Sequence, residues 1–435
     1  RILAPQPNMK KILDKIFLRS NNLDYISKKI QNLTNNTPSK KIFEAINNFS
    51  PHSEIRYVGG CIRKIINEEA VDDIDLATNL EPVEIIEALK INNINFYETG
   101  ISHGTITAQI NEYKFEITSL RKDISTDGRH AKVRFSKDWR VDASRRDFTI
   151  NSIYSDKDGN LFDPYNGLKD LEKGYINFIG DAEKRIKEDY LRILRYIRFF
   201  LEYSKNQHDK KIVKIIKQNL GGLKQISKDR KLQELKKIIS IKNFNKINSD
   251  KISKELFFLI FPELKNINKI NKLDDSSKNI LKSKNFEFIL SLLLIDKSED
   301  CDYFIYKYNL SNKEKDKINF LKSIFSDEPK KDFFNKENLS KILVRNGKEN
   351  LIDVLDFKIL ITKKNKEYLV DQKKYFVELK VPVMPIKAKD LIEKFNLKEG
   401  RLLGLILKEI EEQWLNNNFS ISNNQVEEIV NSKRI

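Results

Sequence analysis

Cysteine and histidine are scarce in this chain of 435 residues, which has two cysteines and four histidines. Cys61 and Cys301 are too few for a disulfide framework or a cysteine-based zinc site. The last histidine is His208, which excludes a histidine-ligated metal hydrolase from the second half of the chain. Low cysteine use is typical of the reducing cytoplasm, where we expect this protein to be located.

Long apolar runs are also missing. No stretch of 18 or more apolar residues occurs, so we expect no membrane-spanning helix. The N-terminus lacks the apolar core of a secretory signal peptide. The first methionine is Met9, which we expect to be the natural start, with residues 1–8 as an upstream extension.

Positive charge is present in excess. The chain has 80 lysines and arginines against 63 acidic residues, a formal net charge of +17, within a globular composition that is 40% hydrophobic. This excess favours a polyanionic partner, either nucleic acid or an acidic membrane surface. A coding bias toward lysine, asparagine and isoleucine would produce the same excess.

The chain changes character twice along its length. Residues 9–50 have apolar residues at helical spacing. Region 55–180 instead contains short alternating runs typical of strands, at 55–58, 105–110, 113–120 and 150–154. More than half of the fourteen glycines lie in this middle region. From 181 onward the pattern predicts helices joined by polar connectors.

Two aspartates, Asp73 and Asp75, are separated by one residue in a predicted strand. Residues i and i+2 of a strand share a face, so the two carboxylates would point the same way. Such like charges are unfavourable unless a cation lies between them, and oxygen ligands suit Mg²⁺. Glu116, on the polar side of another predicted strand, could add a third carboxylate. An acidic surface loop and an exposed glutamate remain the alternatives.

Gly59 and Gly60 lie between a predicted strand and a predicted helix. Such a turn can present backbone N–H groups to an anion, although a plain tight turn has the same sequence.

Residues 181–201 are predicted to form one helix with a basic face. Its apolar face comprises Ile186, Ile193, Leu194, Ile197 and Leu201. The opposite half carries, at a spacing of three, Asp189, Arg192, Arg195 and Arg198. Arginines arranged in this way can bind phosphates bidentately, although an ordinary solvated face would look the same.

Together with further motifs, these segments resemble the class II tRNA nucleotidyltransferases, which are the CCA-adding enzymes, and the related bacterial poly(A) polymerases. The similar segments are Gly59-Gly60-x-x-Arg63, Asp73–Thr78, Thr99–Thr105, Arg145–Asn151, Asp163–Leu171, Ile179–Arg192 and Gly400–Trp414. The resemblance is strong over about 57–200 and weak from 204 to 380. Lys64 and Glu68 depart from it, because the family usually has aspartate and glycine at these positions.

The resemblance implies an α+β fold. A mixed-sheet nucleotidyltransferase head of the polymerase beta type would precede an all-helical neck, body and tail. We therefore predict four regions: an N-terminal extension with helices (1–50), the catalytic head (51–175), a neck with the nucleotide-selecting helix and RNA binding (176–240), and a tRNA-binding body and tail (241–435).

The reaction implied is the template-independent addition of CCA to the 3′ end of tRNA from CTP and ATP, by two-metal nucleotidyl transfer that releases pyrophosphate. Asp73 and Asp75 would bind Mg²⁺. Glu116 would orient or deprotonate the attacking hydroxyl.

The remaining motif residues would bind the nucleotide. Gly59, Gly60 and Arg63 would hold the triphosphate. Arg146 and Asp147, with Asn151 in the same motif, would contact the ribose, and Asp147 could accept a hydrogen bond from its 2′-hydroxyl.

Base selection would fall to Asp189 and Arg192. Cytosine and adenine each carry an amino donor beside a ring-nitrogen acceptor, which a carboxylate and a guanidinium match. Guanine and uracil would leave these charged groups unpaired. Arg195 and Arg198 would continue along the helix to the phosphates or the base. Residues 121–140 are expected to form a mobile loop beside the site, which in the family helps to switch from C to A, with a plain solvated loop as the alternative.

Three alternatives share many of these motifs. A bacterial-type poly(A) polymerase would add only A, and a partial enzyme would add only CC or only A. The segment Thr99–Thr105 and the form Glu188-Asp189-x-x-Arg192 favour CCA addition over poly(A) synthesis. A noncatalytic RNA-binding protein is the alternative from another class, and the intact Asp73, Asp75 and Glu116 argue against it. A membrane-surface protein is disfavoured, and the sequence does not predict the oligomeric state.

Overall fold

The structure is a computed structural model that describes residues 9–126, 131–242, 244–270, 273–327, 329–363 and 366–434. The expected extension, 1–8, lies outside the described residues. The chain divides into two compact units, one up to Phe244 and one from Asn245. The four regions predicted from the sequence are a finer division, which stays a prediction.

The first unit combines helices with all the strands that the described residues form. Its strands are β1 (Ile55–Val58), β2 (Ile74–Thr78), β3 (Asn95–Gly100), β4 (Thr105–Ile110), β5 (Tyr113–Ser119), β6 (Arg121–Thr126), β7 (Ala131–Phe135), β8 (Tyr154–Ser155) and β9 (Leu161–Phe162). Its helices are α1 (Met9–Asn36), α2 (Ser39–Asn47), α3 (Gly60–Ile66), α4 (Pro82–Ile91), α5 (Trp139–Arg145), α6 (Gly167–Lys173), α7 (Ala182–Glu188), α8 (Leu191–Tyr203), α9 (Lys210–Asn219) and α10 (Lys228–Ser240).

Seven of these strands form one mixed sheet in the order β3-β4-β5-β2-β1-β8-β9. Strands β2 and β5 run parallel and the other neighbours are antiparallel. Strands β6 and β7 form a separate hairpin. A mixed-sheet head followed by helices was predicted, and it is confirmed.

The core of this unit lies on the face of the sheet covered by α2, α3 and α4. Leu76 of β2 and Ile117 of β5 are buried there, together with Ile62 and Leu89 from the helices. Because successive side chains of a strand point to opposite faces, burial of Leu76 places Asp75 on the other face. The same alternation that buries Leu76 in the core therefore places Asp75 on the face of the sheet where the site forms.

Two predictions for this unit were wrong. Residues 150–154 were expected to be a strand, but Thr149–Asn151 form a short 3₁₀ turn and only Tyr154–Ser155 pair in the sheet. Segment 121–140 was expected to be a loop. It instead contains the hairpin of β6 and β7 and the start of α5, with 127–130 outside the described residues.

The second unit is helical throughout its described part. Its helices are α11 (Lys251–Ile260), α12 (Asp275–Lys282), α13 (Phe286–Leu294), α14 (Asp300–Tyr308), α15 (Asn312–Phe325), α16 (Lys336–Ile361), α17 (Glu367–Glu378), α18 (Ala388–Phe395), α19 (Arg401–Asn416) and α20 (Asn423–Arg434). Within the residues described for either unit, no helix combines the length and the apolar character that crossing a membrane requires.

Candidate active site

A cleft of about 1070 Å³ lies in the first unit. Twelve of the thirteen residues predicted to form the site line it: Gly59, Gly60, Arg63, Asp73, Asp75, Arg146, Asp147, Asn151, Asp189, Arg192, Arg195 and Arg198. The thirteenth, Glu116, does not line the cleft but lies beside it. The fold thus brings together residues that are up to 139 positions apart in the sequence.

The three carboxylates lie on, or directly before, two paired strands. Asp73 directly precedes β2, and Asp75 of β2 is the register partner of Glu116 on β5. Burial raises the pKa of Asp75, and the neighbouring charge of Glu116 raises it further. These like charges oppose ionisation of Asp75, a condition that a bound cation would relieve.

The donor atoms at this site fit magnesium. Asp73 and Asp75 offer only carboxylate oxygens, and Mg²⁺ commonly binds one or two carboxylates and completes its ligands with water and substrate phosphates. In the part of the chain that the structure describes, no group of three or more His, Cys, Asp or Glu side chains is arranged to hold a metal ion by itself. The arrangement therefore suits an ion shared with a phosphate substrate.

The two glycines bring the backbone close to opposite charges. Gly59 has φ +71, and a Cβ there would lie 3.8 Å from both Asp75 Oδ2 and Arg146 Nη1. A Cβ on Gly60 would lie 3.9 Å from the same carboxylate oxygen. A Cβ at either position would be in van der Waals contact with the carboxylate, and the positive φ of Gly59 is a conformation that glycine adopts without strain.

The two departures from the family pattern, Lys64 and Glu68, both line the cleft. Glu68 has φ +58, a left-handed conformation that glycine adopts without strain, so the usual glycine at this position fits the backbone. Lys64 forms an ion pair with Asp72 at the rim of the cleft. Neither departure displaces a predicted site residue from the cleft.

Four predicted site residues form one continuous hydrogen-bonded chain. Arg63 donates to the Asn151 side-chain oxygen, and Asn151 Nδ2 donates to Asp147 Oδ1 at 2.8 Å. Arg195 Nε donates to the other oxygen of Asp147 at 2.5 Å. Burial alone would raise the pKa of Asp147, but the charge of Arg195 and the bond from Asn151 outweigh it and hold that pKa well below its usual range.

Arg146 is held by a buried carboxylate that the sequence analysis did not identify. Asp142, with 1% of its surface exposed, accepts from Arg146 Nε at 3.2 Å, from Arg145 Nε at 2.8 Å and from the Tyr154 hydroxyl at 2.7 Å. Burial opposes its ionisation, but the charges of Arg146 and Arg145 outweigh burial and lower the pKa of Asp142 to about 2. Asp142 is therefore an anion that fixes both guanidinium groups.

The single helix predicted over 181–201 is broken at Asp189. The backbone of Asp189 is extended, with φ −154 and ψ 104, between α7 and α8. Its carboxylate accepts from the Leu191 N–H at 3.1 Å, the kind of local bond by which aspartate competes with helix formation. Its other oxygen accepts from Arg230 Nη2 of α10 at 2.8 Å.

Asp189 and Arg192 are consequently not on one helix, and each side chain has its own protein partner. Arg192 Nη1 donates to Glu188 Oε2 at 2.8 Å. Further along α8, Arg198 Nε donates to Glu234 of α10 at 2.5 Å. The buried apolar face predicted for this segment is nevertheless present in both helices.

Sequence reasoning missed several charged residues of the cleft and its supports. These are Arg121, Asp123, Asp142, Arg145, Arg185, Arg230, Lys237 and Lys242. Only Arg145 carried a signal, since it directly precedes Arg146. The others are ordinary charged residues in the sequence, and only the fold distinguishes them.

Comparison with known families gives a match over residues 55–177 to the model described as the poly A polymerase head domain. The matched segment contains the mixed sheet and the three carboxylates.

Among curated proteins, the chain is similar to CCA tRNA nucleotidyltransferase 1, mitochondrial, of Mus musculus. The two are 31% identical over 396 residues, which is 86% of this chain and 85% of the mouse protein. The human protein of the same name is 32% identical, with 86% of this chain and 85% of that protein covered. The CCA-adding enzyme of Staphylococcus haemolyticus is 30% identical over 72% of this chain and 74% of its own length.

Among solved structures, the CCA-adding enzyme of Bacillus stearothermophilus in complex with CTP has a TM-score of 0.66 at 21% identity, covering 91% of this chain and 98% of that one. The CCA-adding enzyme of Thermotoga maritima complexed with tRNA has a TM-score of 0.58 at 20% identity, covering 90% and 94%. At these identities the likeness concerns the fold.

Proposed function

This chain belongs to the CCA-adding tRNA nucleotidyltransferase family, and we propose that it adds CCA to the 3′ end of tRNA from CTP and ATP. The observation that carries this proposal is the cleft itself, where residues from six separate sequence motifs or helices meet. The carboxylates of Asp73 and Asp75, the two glycines, and the side chains of Asp189 and Arg192 all line it.

The reaction would be an attack of the tRNA 3′-hydroxyl on the α-phosphate, with pyrophosphate leaving. Asp73 and Asp75 would hold Mg²⁺, which polarises the phosphate and favours loss of the hydroxyl proton. Glu116, the register partner of Asp75 on β5, would orient the attacking hydroxyl.

The nucleotide would lie across the cleft. The Gly59-Gly60 backbone and Arg63 would contact the triphosphate, and the anionic Asp147 would accept from the ribose 2′-hydroxyl. Asp147 is already ionised and fixed by Asn151 and Arg195, so it can accept this bond without rearranging.

Asp189 and Arg192 would select the base as two side chains that are held by different partners. The carboxylate would accept from the amino group of cytosine or adenine, while the guanidinium would donate to the ring nitrogen. Since Arg230 and Glu188 already hold these two side chains, each would meet the base in a set orientation.

The lysine-rich second unit would bind the tRNA backbone through contacts that are independent of sequence and sensitive to salt. We also propose a cytoplasmic location, based on the low cysteine content. The mouse and human relatives are named as mitochondrial, which makes an organelle the alternative.

The test is a transfer assay with Mg²⁺ and a tRNA transcript that ends before CCA. Each nucleoside triphosphate is supplied singly, and then CTP is supplied with ATP. We expect addition of three residues from the mixture and none from GTP or UTP. A long A ladder would instead identify a poly(A) polymerase, and addition of only CC or only A would identify a partial enzyme.

The variant Asp75→Asn separates the catalytic proposal from a noncatalytic RNA-binding role. Loss of this carboxylate should lower the addition rate by about a thousandfold or more, because Asp75 would supply one of the two carboxylates that hold Mg²⁺. Binding of the tRNA transcript, measured by filter retention, should stay within about twofold. Equal addition rates for the variant and the parent would contradict the assignment of Asp75.

A further inference from the structure

Arg185, on α7, joins the two recognition segments of the cleft without lining it. Its side chain is 12% exposed, and both ends of its guanidinium are engaged. Nη2 donates to the backbone carbonyls of Arg145 and Arg146. These carbonyls lie at the C-terminal end of α5, where helical backbone oxygens lack partners within the helix and a positive charge is favourable.

This contact fixes the backbone of the ribose-recognition motif. Arg146 and Asp147 project into the cleft from the residues that directly follow α5. The segment ends α5 in an extended conformation, with φ −68 and ψ 161 at Arg146. Arg185 therefore anchors the backbone from which both side chains leave the helix.

The other end of the guanidinium reaches the base-selecting arginine. Arg185 Nη1 donates to Glu188 Oε2 at 2.5 Å, and the same oxygen accepts from Arg192 Nη1 at 2.8 Å. Arg192 Nη1 also donates to the backbone carbonyl of Arg185 at 2.7 Å. The side chains of Arg185, Glu188 and Arg192 thus form a ring that closes through the backbone carbonyl of Arg185, so Arg192 is held by both the main chain and the ion-pair partner of Arg185.

We propose that Arg185 is a positioning residue that couples ribose recognition by Arg146 and Asp147 to base selection by Arg192. This inference rests on the proposed function. A displacement of either segment is transmitted to the other, because one planar guanidinium binds both. A lysine could not replace it, since a single ammonium group cannot span the carbonyls of α5 and the Glu188 carboxylate in fixed geometry.

The test compares Arg185→Ala and Arg185→Lys with the parent enzyme on the tRNA transcript lacking CCA. We expect KM for CTP to rise about tenfold in Arg185→Ala, the size typical of losing one charge-assisted hydrogen bond, with a smaller change in kcat. Discrimination of CTP against UTP and of CTP against dCTP should fall together. Arg185→Lys should show the same joint loss to a smaller degree.

The matched control is Lys187→Ala on the same helix. Lys187 is exposed and pairs with Glu183 at 2.7 Å, away from the ring. Lys187→Ala should leave the discrimination of CTP against UTP and of CTP against dCTP unchanged. Thermal unfolding of all variants shows which of them are folded at the assay temperature. If Arg185→Ala does not fold, Arg185→Lys still tests the proposal, because it keeps a positive charge at this buried position.

Two results separate failure of this inference from failure of the proposed function. If the parent adds no nucleotides, the proposed function is wrong and this inference fails with it. If the parent adds CCA but a folded Arg185 variant keeps both discrimination ratios, or loses only one of them, the coupling is overturned while the function stands.

Discussion

The two units of the chain build their buried ionic contacts from different cations. Fifteen of the eighteen arginines lie before residue 245, and three lie after it. Arginines dominate the cleft of the first unit, whereas lysines provide the buried cations of the second. Both units have more basic than acidic residues, and they differ in how that positive charge is used.

The buried contacts of the second unit centre on two aspartates of α16. Asp353 and Asp356 are nearly fully buried, and Lys284 Nζ lies 2.6 Å and 2.7 Å from their carboxylate oxygens. Lys317 Nζ lies 2.5 Å from the second carboxylate oxygen of Asp353, and Lys373 Nζ lies 2.6 Å from the second carboxylate oxygen of Asp356. This network joins several helices and lies in none of the segments that match the family motifs.

The difference follows from the shapes of the two cations. A guanidinium is planar and binds two partners at fixed angles, as Arg146 does with Asp142 and Tyr154. An ammonium group is a compact charge that satisfies carboxylates from many directions, as Lys284 does. Arginine therefore serves where a side chain must be aimed, and lysine where helices must be held together.

The largest expected effect is a loss of stability in the second unit, where buried lysines hold helices together. Asp353→Asn removes the charge that neutralises Lys284 and Lys317, and should lower the free energy of unfolding by about 3 kcal/mol or more. Urea unfolding measures this loss. At a temperature where the variant is folded, kcat for CTP addition should be unchanged.

The surface pair of Lys389 and Glu393 supplies the control for that experiment. These side chains are 81% and 65% exposed and 3.6 Å apart, so Glu393→Gln should change the free energy of unfolding by less than about 0.5 kcal/mol. A similar change in both variants would show that burial of the Asp353 network contributes nothing to stability.

Sequence reasoning succeeded where a local pattern decides the structure. Alternating apolar residues gave β1 at 55–58 and β4 at 105–110 with the bounds that the structure has. It failed at Asp189, because the helical pattern continues across the break. The extended backbone there depends on a local aspartate bond and on Arg230, 41 residues away.

The same distinction applies to the candidate site. Motif order and spacing predicted twelve residues that line one cleft, because each motif is a short local pattern on a strand, a turn or a helix. Asp142 and Arg185 were missed, since a charged residue on an amphipathic helix has no sequence signal for being buried. Their importance arises from contacts made across the fold.

A smaller effect, and one that depends on pH, is expected at the Asp142 carboxylate. Because its pKa is lowered to about 2 in the folded protein, its ionised form stabilises the fold above its ordinary pKa near 4, and this contribution is lost as the pH falls toward 2. Asp142→Asn should therefore reduce the free energy of unfolding by about 2 kcal/mol at pH 7. KM for CTP should also rise, because Arg146 loses its fixed orientation.

The pH dependence distinguishes this charge effect from a packing defect. The stability difference between the parent and Asp142→Asn should be constant from pH 7 to pH 5. It should narrow below pH 4, where this carboxyl gains its proton in the unfolded chain but is still ionised in the folded protein. A difference of equal size at pH 7 and pH 3 in urea unfolding would assign the loss to packing instead.

The smallest expected effect tests the contrast between arginine and lysine directly. Arg195→Lys keeps a positive charge near Asp147, but it removes the Nε–H that now donates to this carboxylate at 2.5 Å. We expect kcat/KM for CTP to fall about fivefold while the free energy of unfolding changes by less than about 0.5 kcal/mol. Arg140→Lys, at an exposed position of α5, is the matched control and should leave both quantities unchanged. If Arg195→Lys retains full activity, charge alone is sufficient in the cleft, and the distinction between aimed arginines and stabilising lysines does not hold there.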